Sequence, residues 1–224
     1  MDDSYVQICE VQQMTGQENL KTGTTTIGLK LKDGIILATD QRATAGHLIA
    51  NSDVRKVYPL SDNIGMTIAG SVGDAQLMVR YMTGEISLYK MKRGTPISVT
   101  SAATLISNAI RQGFYLGLIV GGRDSAGGHV FTIDGMGGCL EDNYASVGSG
   151  SVFALGSLEA SFKEDMSKKE GMDVAITALN SARRRDAFSG DGFMMAYIGK
   201  DGYQEIPQAD IKKRCEELGF FYPN

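Results

Sequence analysis

Gly23-Thr24-Thr25-Thr26 stands at the mouth of an apolar strand, behind a polar, Gln-rich run over residues 1–23. A threonine hydroxyl is a poor nucleophile by itself and needs a neighbouring base. A free α-amino group titrates near pH 8, close to ideal for that task. If the chain were cut between Gly23 and Thr24, Thr24 would carry hydroxyl and base on one residue. In the uncut chain the same nitrogen is an amide without basicity, so residues 1–23 would act as a safety catch. Gly23 suits the last leader position, because it has no side chain to block attack of the Thr24 hydroxyl on its carbonyl. Three threonines also make an ordinary strand start, for which threonine is well suited.

Two charged residues could tune such a nucleophile. The runs on either side of Asp33-Gly34 are rich in β-formers, which predicts a hairpin turning at that pair. A turn there places Asp40 to Ala43 opposite Thr24 to Ile27. Asp40, Arg42 and Thr44 then form a polar run after an apolar strand. Farther on, Lys56 lies between apolar neighbours in Val54-Arg55-Lys56-Val57. A lysine close to Thr24 would lower the pKa of its hydroxyl and amine by charge, and Asp40 would keep that lysine protonated. Taken alone, Lys56 also fits a surface lysine on an edge strand.

The elements that would position these residues alternate in blocks. Strands before Ala69, including one over Asn63 to Ala69, precede two helices, Asp74 to Lys92 and Pro96 to Gln112, the second with Pro in its first turn. Three strand-like runs follow, YLGLIVGG, HVFTIDG and YASVGSG. Helices near Ser151 to Met166 and Lys168 to Arg185 lead to strands in GFMMAYIG and GYQEI, and an amphipathic segment over Gln208 to Leu218 comes last. Two sheets packed face to face, each with a helix pair on its outer side, satisfy this order, since every sheet must bury its second face. The expected class is α+β, a four-layer αββα sandwich, with one domain over 24–224 after a leader over 1–23.

Composition narrows the function. At 224 residues with 42% hydrophobic residues the chain can bury a sizeable core. A net charge of −4 without a dense Lys/Arg cluster argues against nucleic acid as a partner. Cys9, Cys139 and Cys215 are widely spaced and accompanied by only two histidines, which fits a reducing cytoplasm and no metal site. The acidic start MDDSYVQICE differs from a secretory signal, and no apolar run reaches the length of a membrane span.

The segments GTTTIGLKLKDGIILATDQRAT, RKVYPL, GMTIAGSVGDAQLMVRYM, SVGSGSVFALG and RRRDAFSGDG together resemble the proteasome β subunits, most closely the archaeal type. The likeness runs from Thr24 to about Gly202. It implies the amino-terminal-nucleophile hydrolase fold and a threonine endopeptidase that cleaves unfolded polypeptides inside stacked rings. By that resemblance Thr24 is the nucleophile, with Asp40 and Lys56 as its charged partners. The backbone N–H of Gly70 is the oxyanion donor. Ser149, Asp186 and Ser189 surround the terminal amine. Ala43 and Thr44 bind the substrate main chain as an added strand. Ala43, Val54, Ile68 and Val72 line the pocket for the residue before the cut, and all four are apolar, which favours hydrophobic residues there over charged ones. The implied partners are other β subunits in a seven-membered ring, α-subunit rings and an ATPase unfoldase acting through them. No cofactor, nucleic acid or membrane is implied, and the expected location is the cytoplasm.

Other readings compete. A non-catalytic ring subunit of the same fold would have lost Thr24, Asp40 or Lys56. A related self-processing amidase or a two-ring bacterial peptidase tends to have a minimal leader or small amide substrates. The GSG turn at Gly148 to Gly150 resembles a dinucleotide loop, but the third glycine of that pattern falls on Phe153. GxxxxGK[ST] is absent from the sequence, so ATP hydrolysis is assigned to a separate protein.

Overall fold

The computed structural model describes residues 23–114 and 116–222; all of the expected leader over 1–23 except Gly23, Cys9 included, lies outside the described residues. Strands β1 (Thr25–Lys30) and β2 (Ile35–Asp40) form an antiparallel hairpin, and every residue of β2 is buried. Burial on both faces explains why β2 is an apolar run rather than an alternating one. Ile36 and Ala38 point to one core, while Ile35 and Leu37 point to another.

The first core lies under helices α3 (Ser151–Ser161) and α4 (Lys168–Arg183), and α5 (Gln208–Glu217) adds Ile211 and Cys215 to it. Ser167 caps α4 in a reciprocal box with Glu170, which satisfies two otherwise orphaned donors. The sheet beneath is completed by β10 (Tyr144–Gly148), β11 (Phe193–Gly199) and β12 (Gly202–Glu205), in the order β10-β1-β2-β11-β12. A second sheet, in chain order, comprises β5 (Val57–Ser61), β6 (Ile64–Gly70), β7 (Leu116–Asp124), β8 (Gly127–Ile133) and β9 (Cys139–Glu141). Helices α1 (Val72–Arg93) and α2 (Val99–Ile110) cover its outer face through Met78, Met82, Ile106 and their neighbours.

Between the sheets, Ile35, Leu37 and Ile198 of the first meet Val57, Ile119 and Val130 of the second. Fully burying side chains of this size contributes roughly 1.5–3 kcal/mol each, which holds the two layers together. The architecture is the αββα sandwich expected from the element order. No helix among the described residues is long and apolar enough to cross a membrane.

The hairpin register differs from the expected one. Thr26 pairs with Thr39 and Lys30 with Ile35, while Leu31 N–H donates to Gly34 O at 2.8 Å, so the turn is centred on Lys32-Asp33. Asp40 therefore falls opposite Thr25, and Ala43 lies beyond the pairing, in the separate hairpin β3 (Ala43–Ala45) with β4 (Leu48–Asn51). Gly34 closes the turn instead of occupying its centre, and packing sets its type: a Cβ there would stand 2.4 Å from Ile198 O in the adjacent strand β11. The shift is two residues, so every side chain keeps its face. Helix α2 also starts later than expected. Ser98 is its cap and accepts from Ser101 N, which leaves Pro96 outside the first turn.

Candidate active site

The residues singled out by chemistry sit at strand ends. Thr24 immediately precedes β1, Asp40 ends β2, Lys56 immediately precedes β5 and Gly70 ends β6. Two of these belong to one sheet and two to the other, so the packing of the sheets assembles them.

Thr24 Oγ1 donates to Asp40 Oδ1 at 2.8 Å and receives a contact from Lys56 Nζ. Lys56 Nζ also donates to Asp40 Oδ1 at 2.9 Å and to Arg42 O at 2.5 Å. Lys56 is 7% exposed and Asp40 1%, which rules out the surface-lysine reading. Asp40 is anchored by backbone N–H groups as well, from Thr25 at 2.9 Å, Gly190 at 3.0 Å and Arg42 at 3.1 Å. Burial pushes the Lys56 pKa below that of an ordinary lysine, and Asp40 opposes the shift by its charge and its hydrogen bond.

A second chain of polar groups reaches the Thr24 nitrogen. Thr24 N–H donates to Ser149 Oγ at 3.2 Å, Ser149 Oγ donates to Asp186 Oδ2 at 2.5 Å, and Ser189 Oγ donates to the same carboxylate oxygen at 2.6 Å. Ser189 Oγ lies 2.7 Å from Thr25 Oγ1. This chain can hold whatever the Thr24 nitrogen becomes, amide or free amine. The GSG turn owes its glycines to that proximity: a Cβ on Gly148 would stand 2.1 Å from Thr24 O, and one on Gly150 2.1 Å from Thr25 Oγ1. The close approach in this turn is to the chain's own Thr24 backbone and Thr25 side chain, which gives the glycines a role without a dinucleotide.

Beside Thr24 opens a cleft. Ala43, Val54, Ile68 and Val72 all line it, as do Thr44 and Gly70. The Gly23 N–H donates to Thr44 Oγ1 at 3.2 Å.

Sequence reasoning missed three contributors. Arg55 and Tyr58 also line the cleft. Arg42 forms a two-pronged pair with Asp191, at 3.0 and 3.2 Å, and donates to Ala187 O at 3.1 Å, tying the corner after β2 to the loop that carries Asp186 and Ser189. Arg42 stands in the polar run already noted, but its partner is 149 residues away and no local pattern marks it.

Residues 20–198 match the family model described as proteasome subunit. The chain is 45% identical over 199 residues to a protein named proteasome subunit beta from Methanocorpusculum labreanum, covering 87% of this chain and 94% of that one. It is 46% identical over 205 residues to the proteasome subunit beta of Methanosphaerula palustris, covering 89% and 97%. For the protein of that name from Thermoplasma acidophilum the identity is 44% over 207 residues, covering 90% and 98%.

Proposed function

The chain belongs to the proteasome subunit family as a β subunit, and from that premise we propose that it is a threonine endopeptidase that removes its own leader and then degrades unfolded polypeptides. As a family member it assembles with other proteasome subunits in rings and is a peptidase by kinship. The finer reading is a seven-membered β ring stacked against α rings in the cytoplasm, fed by an ATPase unfoldase. One observation carries the catalytic part: the Thr24 hydroxyl is held between Asp40 and Lys56, while Ser149 and Asp186 wait at its nitrogen.

The reaction follows from those contacts. Removal of residues 1–23 frees the Thr24 amine and leaves 24–224 as a single domain. The amine accepts the Oγ1 proton, helped by the positive charge of Lys56, and Oγ1 attacks the carbonyl before the scissile bond. The tetrahedral oxyanion is stabilised by the Gly70 N–H. The leaving amine takes the proton from the Thr24 ammonium, which leaves an ester on Oγ1. Water, deprotonated by the same amine, hydrolyses the ester and restores the hydroxyl. Ala43 and Thr44 hold the substrate backbone as an extra strand, and the Thr44 hydroxyl, which accepts from the Gly23 N–H, adds a side-chain contact on the leader side of the cut.

Two outcomes test this reading. Amino-terminal sequencing of the assembled, active particle is expected to read Thr-Thr-Thr-Ile, starting at Thr24. An intact Met1 in fully active material would refute self-processing. In matched fluorogenic peptides, Leu or Tyr before the cut should exceed Arg and Glu in kcat/KM by at least about tenfold, because burying a charge against Ala43, Val54, Ile68 and Val72 costs more than an apolar side chain does. Ile68→Arg should move the preference toward acidic residues. Best cleavage after Arg by the unmutated particle would remove these four residues from the pocket.

A further inference from the structure

We infer that Arg55 makes the cleft discriminate between the two signs of charge, so that acidic residues before the cut are a secondary substrate class and basic ones are rejected. The inference rests on the peptidase reading above and adds a determinant outside the four apolar wall residues.

Three cationic residues, Arg42, Arg55 and Lys56, are among those that line the cleft, and no acidic residue is among the described ones that do. Two of them are committed. Lys56 is held by Asp40, and Arg42 by Asp191 and Ala187 O. Arg55 differs in the exposure of its ion-pair partner. Its Nε donates to Val57 O at 3.0 Å, its guanidinium lies 5.7 Å from the centre of the Tyr58 ring, and its Nη2 pairs with Glu205. The Arg55 and Glu205 side chains are 42% and 46% exposed. A pair so exposed contributes little net stability. A guanidinium carries five N–H donors, and these two hydrogen bonds occupy two of them.

The Nε bond and the Tyr58 ring fix where the guanidinium stands, so it is pre-positioned without depending on Glu205. A substrate carboxylate reaching the cleft can share the guanidinium with Glu205 or displace it. A substrate lysine or arginine meets a wall of like charge. Glu205 ends β12 and does not line the cleft, so it acts on the preference only through Arg55.

The test uses the mature, assembled particle and fluorogenic peptides that differ only in Leu, Gln, Glu or Arg before the cut. Gln is the uncharged isostere of Glu. In the wild type, Glu should exceed Gln by about threefold and Arg should fall below Gln, with the difference shrinking as salt is raised. Glu205→Gln frees the guanidinium and should raise the Glu-to-Gln ratio to about tenfold, leaving Leu turnover within about twofold. Arg55→Gln should bring that ratio to about one. A wild-type ratio at or below one, or a ratio that Glu205→Gln leaves unchanged, overturns the inference. Fluorescence-polarisation binding of labelled Glu- and Gln-ended peptides gives the same comparison without turnover. Absent Leu cleavage with the binding preference intact would therefore strike the peptidase reading and leave the role of Arg55 standing.

Discussion

Replacing Lys56 by alanine is expected to leave a chain that folds but neither sheds its leader nor turns over peptide, with kcat/KM reduced by about 10³-fold or more. The size of the loss follows from position, since Lys56 Nζ touches the Thr24 hydroxyl itself. The fold should survive because Asp40 keeps its N–H donors from Thr25, Arg42 and Gly190 after the ammonium is gone. Removing one partner of a buried pair ordinarily costs about 3–5 kcal/mol, and those donors reduce the penalty.

Lys56→Arg should fail nearly as badly. An ammonium has three N–H donors, and Thr24 Oγ1, Asp40 Oδ1 and Arg42 O take all three from one compact nitrogen. A guanidinium spreads its donors over a planar fork and cannot meet these acceptors from one point. The pH profile of the wild type gives an independent reading. The charged lysine exists below its pKa, and burial lowers that pKa. The rate should therefore decline on the alkaline side at a lower pH than an ordinary lysine would set. Near-normal turnover by either variant, measured with a fluorogenic peptide, would remove Lys56 from the mechanism.

Gly23→Val should block maturation by about 100-fold or more without touching the mature enzyme, because misplacing the reacting bond by about 1 Å is enough to cost that much. A Cβ at position 23 would stand 1.8 Å from Phe188 Cβ and 2.8 Å from Ser149 Oγ. Neither can yield cheaply. Phe188 Cβ is fixed to the backbone, and Ser149 is engaged with Asp186 and the Thr24 nitrogen. The scissile carbonyl would be displaced from the Thr24 hydroxyl, so mass spectrometry of the variant should show retained leader. A chain produced to begin directly at Thr24 lacks position 23 and should match the wild type in peptide turnover. Normal leader removal from the valine variant would show that the Phe188 contact yields at little cost.

Much of this site is legible in the order of the residues. The GTTT start, Asp40 after an apolar strand, and Lys56 in the run Val54-Arg55-Lys56-Val57 are local signals with a chemical reason behind them, and periodicity orders the strands and helices into four layers. Local signals stop where partners are distant in sequence. Asp33-Gly34 looks like the turn because glycine favours turns, yet Gly34 is set by the carbonyl of Ile198, far along the chain in a neighbouring strand. The short strands β3, β4 and β9 carry too few residues for a periodic pattern. Arg55 beside Lys56 gives no sign in sequence that it faces the cleft, nor that Glu205, 150 residues on, balances it. Residue types and spacing thus determined the candidate reacting groups and the layered class. Which strand ends meet, and therefore which charges reach the nucleophile and its pocket, was decided by two sheets packing across a shared apolar core, because burial selects contacts by shape and area rather than by separation along the chain.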